Sequence, residues 1–558
     1  MDIARVQKSL ATKASCEPQH RFKDLYRYVR HPLWLQTARL SVVQNKGART
    51  AGIDGVVPKD LSETEWQEML DQLVVQLKEG TYRPMPARRE YIPKANGKMR
   101  ALGIATARDR VVQQVVKMVL EPIYESHFLP CSHGFRPGRS TMTAINRVQY
   151  LHNRMRKYYW VVEGDIRACF DEISHKKLMQ VLRKVIKDER LLALIWAFLK
   201  AGYMEEGQVH VPNTGTPQGG IASPLLANIF LHEMDKAWWE RYYGTLTQKQ
   251  RQTRRKKGLG NVQLVRYADD FLILTNGKKG QAIELMEEFR VILEELGLTL
   301  SPEKTHITHV DDGYEFLGFH VQRRPRRCAP QEKALYVTPT QRNIQRYKRK
   351  IKEMLRPTQG DPVNKIRAVN RVVRGWANYY RHVQSSWVRQ KLDYWTFRAV
   401  WKWLYRKHGR NVGWKELYRQ YIFRNANGRK VLGYKAVHLT RMGDIHYKRF
   451  YLPKGGIQNP YLTPQRPKPT INEDDPIADE TWDGTSTQRG FALIRQDLLA
   501  QCGPICHRCK REFPPYKLHA HHNKALKHGG QHKQSNLELL CERCHTRTKN
   551  YGSKTPEM

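Results

Sequence analysis

The run Leu264-Val265-Arg266-Tyr267-Ala268-Asp269-Asp270-Phe271-Leu272-Ile273-Leu274 constrains this chain more than any other. Two adjacent carboxylates separate two apolar segments of strand length, so the stretch predicts a hairpin with Asp269 and Asp270 at its tip. Burying paired carboxylates among Val, Leu, Ile and Phe is costly unless something neutralises them, and a divalent cation does so. For the tetrapeptide alone, a solvated Asp-Asp turn is an equal alternative.

Composition narrows the choice. The 558 residues suffice for about three or four domains. Hydrophobic residues make up 40% and charged residues 27%, enough for real cores and too apolar for wholesale disorder. Lys and Arg number 97 against 53 Asp and Glu, a net charge of +44 that calls for a polyanionic partner. A membrane surface is the rival partner, but the longest apolar run, Leu191 to Leu199, is too short to span a bilayer. The N-terminal MDIARVQKSL has no apolar signal segment, so an intracellular protein with reduced cysteines is expected. Of nine Cys, five fall at 502, 506, 509, 541 and 544, which suggests a local metal site rather than a disulfide framework.

No internal repeat is evident. Residues 1 to about 50 read as helical and basic, and from Thr50 to about Val321 helical patterns alternate with short strands, as in an α/β fold. Thr245 to Gly260 is a polar, cationic insert that reads as a mobile loop beside nucleic acid or as a plain solvated loop. Gln341 to Phe450 carries 28 Lys/Arg against 5 Asp/Glu in a helical pattern. Its interleaved aromatics, Trp376 to Trp403 among them, read mostly as core, and the basic face around them as an RNA surface. Pro-rich Leu452 to Glu480 reads as a linker, with a compact Cys/His module after it.

Phosphoryl transfer with two metals needs a third carboxylate on a neighbouring strand. Asp165 closes the apolar run Tyr159-Trp160-Val161-Val162-Glu163-Gly164; a helix N-cap is the alternative reading. Other segments follow in order: Gly47 to Gly55, Ile92 to Arg100, Gly134-Phe135-Arg136-Pro137-Gly138-Arg139-Ser140, and Asp165-Ile166-Arg167-Ala168-Cys169-Phe170-Asp171. Then come Pro217-Gln218-Gly219-Gly220-Ile221-Ala222-Ser223-Pro224, the Asp-Asp hairpin, Gly297 to Thr305, and Phe316-Leu317-Gly318-Phe319. In this order the segments resemble the reverse transcriptase/maturases encoded by group II introns. Ile366 to Tyr380, with its Gly375-Trp376-Ala377-Asn378-Tyr379-Tyr380 core, is similar to that family's thumb, or maturase, segment.

The resemblance implies roles by matched position. Asp165, Asp269 and Asp270 would be catalytic and hold two Mg2+ ions. Phe170 would be the aromatic gate against a ribose 2′-hydroxyl, where a core aromatic is the alternative. Lys94 and Arg100 would grip the triphosphate, unless they are solvated charges, and Gln218 and Gly219 would contact the nascent base pair.

At the C-terminus, Cys506-His507-Arg508-Cys509 and Cys541-Glu542-Arg543-Cys544 have the spacing of a tetrahedral Zn2+ site. Alone, these knuckles describe a structural zinc ribbon. With His519-Ala520-His521-His522, Asn536 and His545, the order resembles an HNH endonuclease, a ββα unit around one catalytic metal. That resemblance implies His522 as general base, Asn536 as the residue orienting the base loop, and His521 and His545 as ligands of Mg2+ or a similar ion. His519 in place of His521 is the alternative register. Asn523-Lys524-Ala525 departs from the usual sequence after the His pair.

The expected architecture is multidomain α/β: a right-hand reverse transcriptase fingers-palm, a helical thumb (maturase) and a C-terminal ββα-metal HNH module. The expected divisions are 1–50 N-terminal helical extension, 51–325 fingers and palm, 326–451 thumb and basic region, 452–490 linker, and 491–558 HNH endonuclease. The implied function is RNA-directed DNA synthesis, help in intron splicing and site-specific DNA cleavage, combined in target-primed reverse transcription. Implied partners are the group II intron RNA, target DNA and dNTPs, with no membrane; a homodimer is left open. A bacterial cytoplasmic, nucleoid-associated ribonucleoprotein is expected ahead of an organellar one. Two rivals are an RNA chaperone with dead active sites, against which the three carboxylates argue, and a free-standing reverse transcriptase without an intron.

Overall fold

The computed structural model describes residues 2–93, 99–205, 207–211, 213–215, 219–244, 246–326, 328–409, 412–424, 428–448, 450–453, 457–463, 498–499, 503–513, 518–522, 537–541 and 544. Its central sheet has the strand order Val262–Tyr267, Asp270–Thr275, Trp160–Asp165, His306–His309, with every neighbouring pair antiparallel. The continuous apolar run read from the sequence follows from burial on both faces. Phe271 and Ile273 enter one core, shared with the helices Ala107–His127 and Ser223–Trp239, while Leu272 and Leu274 enter a second on the opposite face. The hairpin is thus pinned from both sides, and a one-residue slip would exchange the two cores' side chains.

A smaller sheet, Met99–Ile104, Ala87–Pro93, Tyr203–Glu205, Gln208–His210, forms the fingers. The N-terminal helices Ile3–Cys16 and Pro32–Gln44 pack on Ala107–His127, and the Arg110 guanidinium donates to the carbonyls of Gly47 (2.9 Å) and Thr50 (2.8 Å). Gly52 meets the backbone of Thr106 so closely that a Cβ there would lie 2.7 Å from its Cα.

Three long helices, Gln341–Met354, Pro362–Tyr380 and Ser386–His408, enclose a third core around Ile351, Val369 and Trp403. Not all aromatics in this region are core: Trp403 is fully buried, but Trp387 is exposed. The helical pattern also stops earlier than its composition implies, giving way to a small sheet of Ile422–Arg424, Lys430–Tyr434 and Val437–His438. Two sequence motifs far apart in the chain meet where thumb joins palm. Tyr379 donates to the Leu317 carbonyl (2.9 Å) and Tyr380 to that of Gly318 (3.0 Å). Gly318 has φ +80°, and a Cβ there would strike Asn343 Nδ2 at 2.4 Å.

The cationic insert is not an irregular loop. Residues Gln248–Lys256 form a helix because Thr247 and Gln250 build a capping box and the Gln, Lys and Arg that follow are good helix formers. Part of the Pro-rich stretch also lies against the body: the Leu452 amide donates to Asn146 Oδ1 (3.0 Å) and the Tyr461 hydroxyl to Glu121 (2.6 Å). In the C-terminal module Leu518–His522 and Leu537–Cys541 pair antiparallel. The helix expected to complete a ββα unit falls outside the described residues. No described helix is long and apolar enough to cross a membrane.

Candidate functional site

The sheet register brings the three predicted carboxylates together. Asp165 lies directly opposite Asp270 on the adjacent strand, and the backbone amide of Ile166 donates to the Asp269 carbonyl (3.3 Å). Ala268 takes a left-handed conformation (φ +59°), which turns the hairpin sharply enough to set Asp269 and Asp270 side by side at its tip. Asp165 is buried, and Asp270 stands at the floor of an open cleft, reached by water but walled by protein on its other sides. Burial, then the charges of Asp269 and Asp165, push Asp270 up to about 7; Lys304 and Arg100 oppose the rise. Asp269 is raised by burial and by Asp165.

Three carboxylates so placed are a set of hard oxygen donors whose mutual repulsion a divalent cation would relieve. Lys304, which ion-pairs with Asp165, is a neighbour that spacing did not reveal. Burial pulls its ammonium down, but the hydrogen bond to Asp165 and the negative charges of Asp165, Asp270 and Asp269 together outweigh that and hold it above its ordinary value.

The cleft, about 1070 Å³, runs from Arg100 and Asp270 past Leu317 and Gly318 to the thumb. There the helices Gln341–Met354 and Pro362–Tyr380 line it with Arg342, Arg346, Lys350 and Arg371. Gly219 (φ +114°) packs on the fingers, where a Cβ would lie 2.6 Å from the Gly103 carbonyl oxygen. Lys94 and Gln218 lie outside the described residues. Phe170, on the short helix Cys169–Glu172, meets Phe135 edge-on with ring centroids 6.5 Å apart, and Phe135 stands 6.5 Å from the Tyr267 ring. The resemblance gives Phe135, in the segment Gly134 to Ser140, no role. It is exposed and holds φ +54°, an unusual conformation for a bulky residue, beside the hairpin tip.

Beneath the hairpin lies a polar network that sequence reasoning missed. Arg266 is fully buried and spends all five of its N–H groups. It binds Asp235 through two bonds (2.8 and 2.5 Å), Asn228 Oδ1 (3.0 Å), Ser132 Oγ (2.9 Å) and the Ala268 carbonyl (3.0 Å). Gly134 closes against the same turn, where a Cβ would meet the Ala268 amide nitrogen at 2.5 Å. The only hint in the sequence was a charged residue inside an apolar strand next to the carboxylates.

At the other end of the chain, Cys506, Cys509, Cys541 and Cys544 bring their sulfurs within 4.8 Å of one another. Burial opposes ionisation of Cys506, but N–H donors from Cys509, Cys541 and Arg508 outweigh it and hold the thiol below its usual value. Four sulfurs this close suit one tetrahedral cation. His521 is buried opposite Glu538 in the strand pair, and burial lowers its basicity. The backbone of His522 ends the same strand, opposite Leu537. Asn536 and His545 lie outside the described residues.

Comparison with known proteins fits this geometry. Residues 92–321 match the reverse transcriptase (RNA-dependent DNA polymerase) family, 344–422 the group II intron maturase-specific domain, and 506–550 the HNH endonuclease family. Protein YkfC of Escherichia coli (strain K12) is 40% identical over 359 residues, 60% of this chain and 94% of that protein. The group II intron-encoded protein LtrA of Lactococcus lactis subsp. cremoris is 38% identical over 349 residues, 54% of this chain and 57% of LtrA, so the match spans little more than half of that relative. An uncharacterized 91 kDa protein in the cob intron of Schizosaccharomyces pombe is 35% identical over 295 residues, 46% of this chain and 36% of that protein.

Proposed function

The chain belongs to the group II intron-encoded proteins, with reverse transcriptase, maturase and HNH endonuclease domains, and from this we propose that it copies intron RNA into DNA from a primer cut by its own nuclease. The observation that carries the polymerase reading is the meeting of Asp165, Asp269 and Asp270 on adjacent strands at the floor of a cleft walled by thumb cations. A pair of Mg2+ ions bound there would supply Lewis-acid stabilisation of the phosphoryl charge. Lys94 and Arg100 neutralise the incoming dNTP, and Gln218 and Gly219 support the new base pair. Arg342, Arg346 and Lys350 track the backbone of the template–primer duplex. We place the fingers and palm in 51–325, the thumb in 326–451 and the nuclease in 491–558.

Phe170 acts by bulk: its ring occupies the space a 2′-hydroxyl needs. Phe170→Ala is expected to raise ribonucleotide incorporation relative to dNTP by one to two orders of magnitude. Steady-state kcat/KM for matched rNTP and dNTP pairs reads this directly, and unchanged discrimination refutes the gate.

In the nuclease module, the four cysteines hold a structural Zn2+, and His521 and His545 bind a divalent ion. His522, on a loop oriented by Asn536, takes a proton from a water whose oxygen attacks the target-DNA phosphorus; the P–O3′ bond breaks, and the departing 3′-oxygen takes a proton from solvent to become the primer 3′-hydroxyl. The thumb's cations bind the intron RNA, stabilise its active fold and leave splicing chemistry to the RNA. The resulting ribonucleoprotein works in the bacterial cytoplasm, at the nucleoid.

The whole reading is tested by giving the protein–intron RNA complex its duplex DNA target, dNTPs and Mg2+. The expected product is cDNA covalently continuous with a nicked DNA strand. His522→Ala should lose nicking yet extend a supplied primer. Nicking by that variant removes His522 as the base, and cDNA never joined to a nicked strand overturns the coupling of the two sites.

A further inference from the structure

A second groove lies on the thumb, behind the cleft. The helix Gln341–Met354 separates the two: Arg346 and Lys350 line the cleft, while Arg349 and Lys352 line the groove. The groove measures about 880 Å³ and is closed on its far side by the helix Ser386–His408 and by Trp414. Its cations are Arg349, Lys352, Arg356, Arg398, Lys402 and Arg406, against one carboxylate, Glu353. Its rings differ in exposure: Trp395 and Trp401 are half-buried in the thumb core, whereas Tyr405 is 45% and Trp414 59% exposed.

Keeping a Trp and a Tyr this open to water costs apolar hydration that a core position would avoid, and the rings share one groove with six cations. A duplex hides its base faces inside the helix, so it would use the charges and leave the rings idle. An unpaired strand uses both: phosphates sit on the cations and bases stack on the rings. The groove lies wholly within residues 344–422, the stretch matched to the group II intron maturase domain, which favours RNA over DNA as the occupant.

We infer that this groove binds an unpaired segment of RNA, with bases stacked on Tyr405 and Trp414, as a site separate from the template–primer cleft. The inference rests on the proposal that the thumb binds intron RNA, and it names which part of that RNA is held and where.

The test uses the full chain with its cleft first filled by excess hairpin primer–template. A labelled twelve-nucleotide oligoadenylate RNA is then titrated in, beside the same sequence as DNA and a blunt RNA duplex. Wild type should bind the RNA strand more tightly than either competitor. Tyr405→Ala/Trp414→Ala should weaken it about tenfold or more, with primer extension and thermal stability unchanged. Arg398→Glu/Lys402→Glu should weaken it comparably and flatten its salt dependence. Strand affinity equal to wild type in both variants overturns the groove, as does displacement of the strand by further primer–template. Tighter binding of DNA overturns the RNA assignment. A wild type that binds no intron RNA overturns the parent reading instead, whereas intact intron binding with indifferent variants overturns this inference alone.

Discussion

Asp269→Ala/Asp270→Ala should abolish DNA synthesis on a primed RNA template, by at least about a thousandfold, while the protein stays folded. The magnitude follows from the Lewis-acid contribution of bound metal, which is worth several kcal/mol at about 1.4 kcal/mol per tenfold in rate. Stability should not fall, because the pair is strained without metal. Asp270 is pushed up to about 7 by burial and by its two carboxylate neighbours. A carboxyl raised in this way favours the folded state fully below its unfolded value near pH 4, and that contribution is lost as pH rises through 7. Removing the pair should therefore raise the metal-free melting temperature at pH 8 and change it little at pH 4.

The same shift sets the metal dependence. Below pH 7 a divalent ion must displace a proton from Asp270, so the half-saturating Mg2+ concentration should rise up to about tenfold for each pH unit lost. Above pH 7 it should level off. Primer extension titrated with Mg2+ from pH 6 to 8.5 checks this. A flat profile would show that Asp270 is already ionised in the free protein, and full synthesis by the double variant would remove the pair from the site.

The legible part of this molecule is the part written locally. The hairpin at Leu264–Leu274 could be read because an apolar run with a polar break at strand length has few other outcomes, and Asp165 because it closes a similar run. The four cysteines were legible because metal-ligand spacing is itself a local geometry. The illegible part depends on contacts between distant segments. Ser132 and Arg266 lie 134 positions apart, and nothing near either one names the other. Lys304 reaches Asp165 across 139 positions. The insert from Thr245 to Gly260 differs for another reason: its charge suggests a mobile loop beside nucleic acid or a solvated loop, while its capping box and straight-chain residues carry the helix Gln248–Lys256. Polarity reports exposure, and exposure does not decide backbone conformation.

Arg266 carries the second large effect. Arg266→Ala would strand Asp235 as a buried, unpaired charge, because both side chains are wholly shielded from solvent. Breaking such a pair costs about 3–5 kcal/mol, enough for a clear drop in the unfolding midpoint of the palm. Arg266→Met/Asp235→Leu removes both charges and fills the space with apolar side chains, so stability should return in part, the loss that remains being that of the donors to Asn228, Ser132 and the Ala268 carbonyl. Polymerisation should not return with it. The guanidinium also holds the Ala268 carbonyl, and through it the left-handed turn that sets Asp269 beside Asp270. Without that anchor, about 1 Å of freedom at the carboxylates is expected to lower kcat by about a hundredfold while KM for dNTP changes little. Arg266→Lys should fall between, since an ammonium cannot make five bonds in a plane. Unfolding midpoints and steady-state extension of the three variants separate the two roles. If the apolar pair restored kcat along with stability, Arg266 would serve the core alone; a stable protein with lost kcat makes it the residue that positions the catalytic turn.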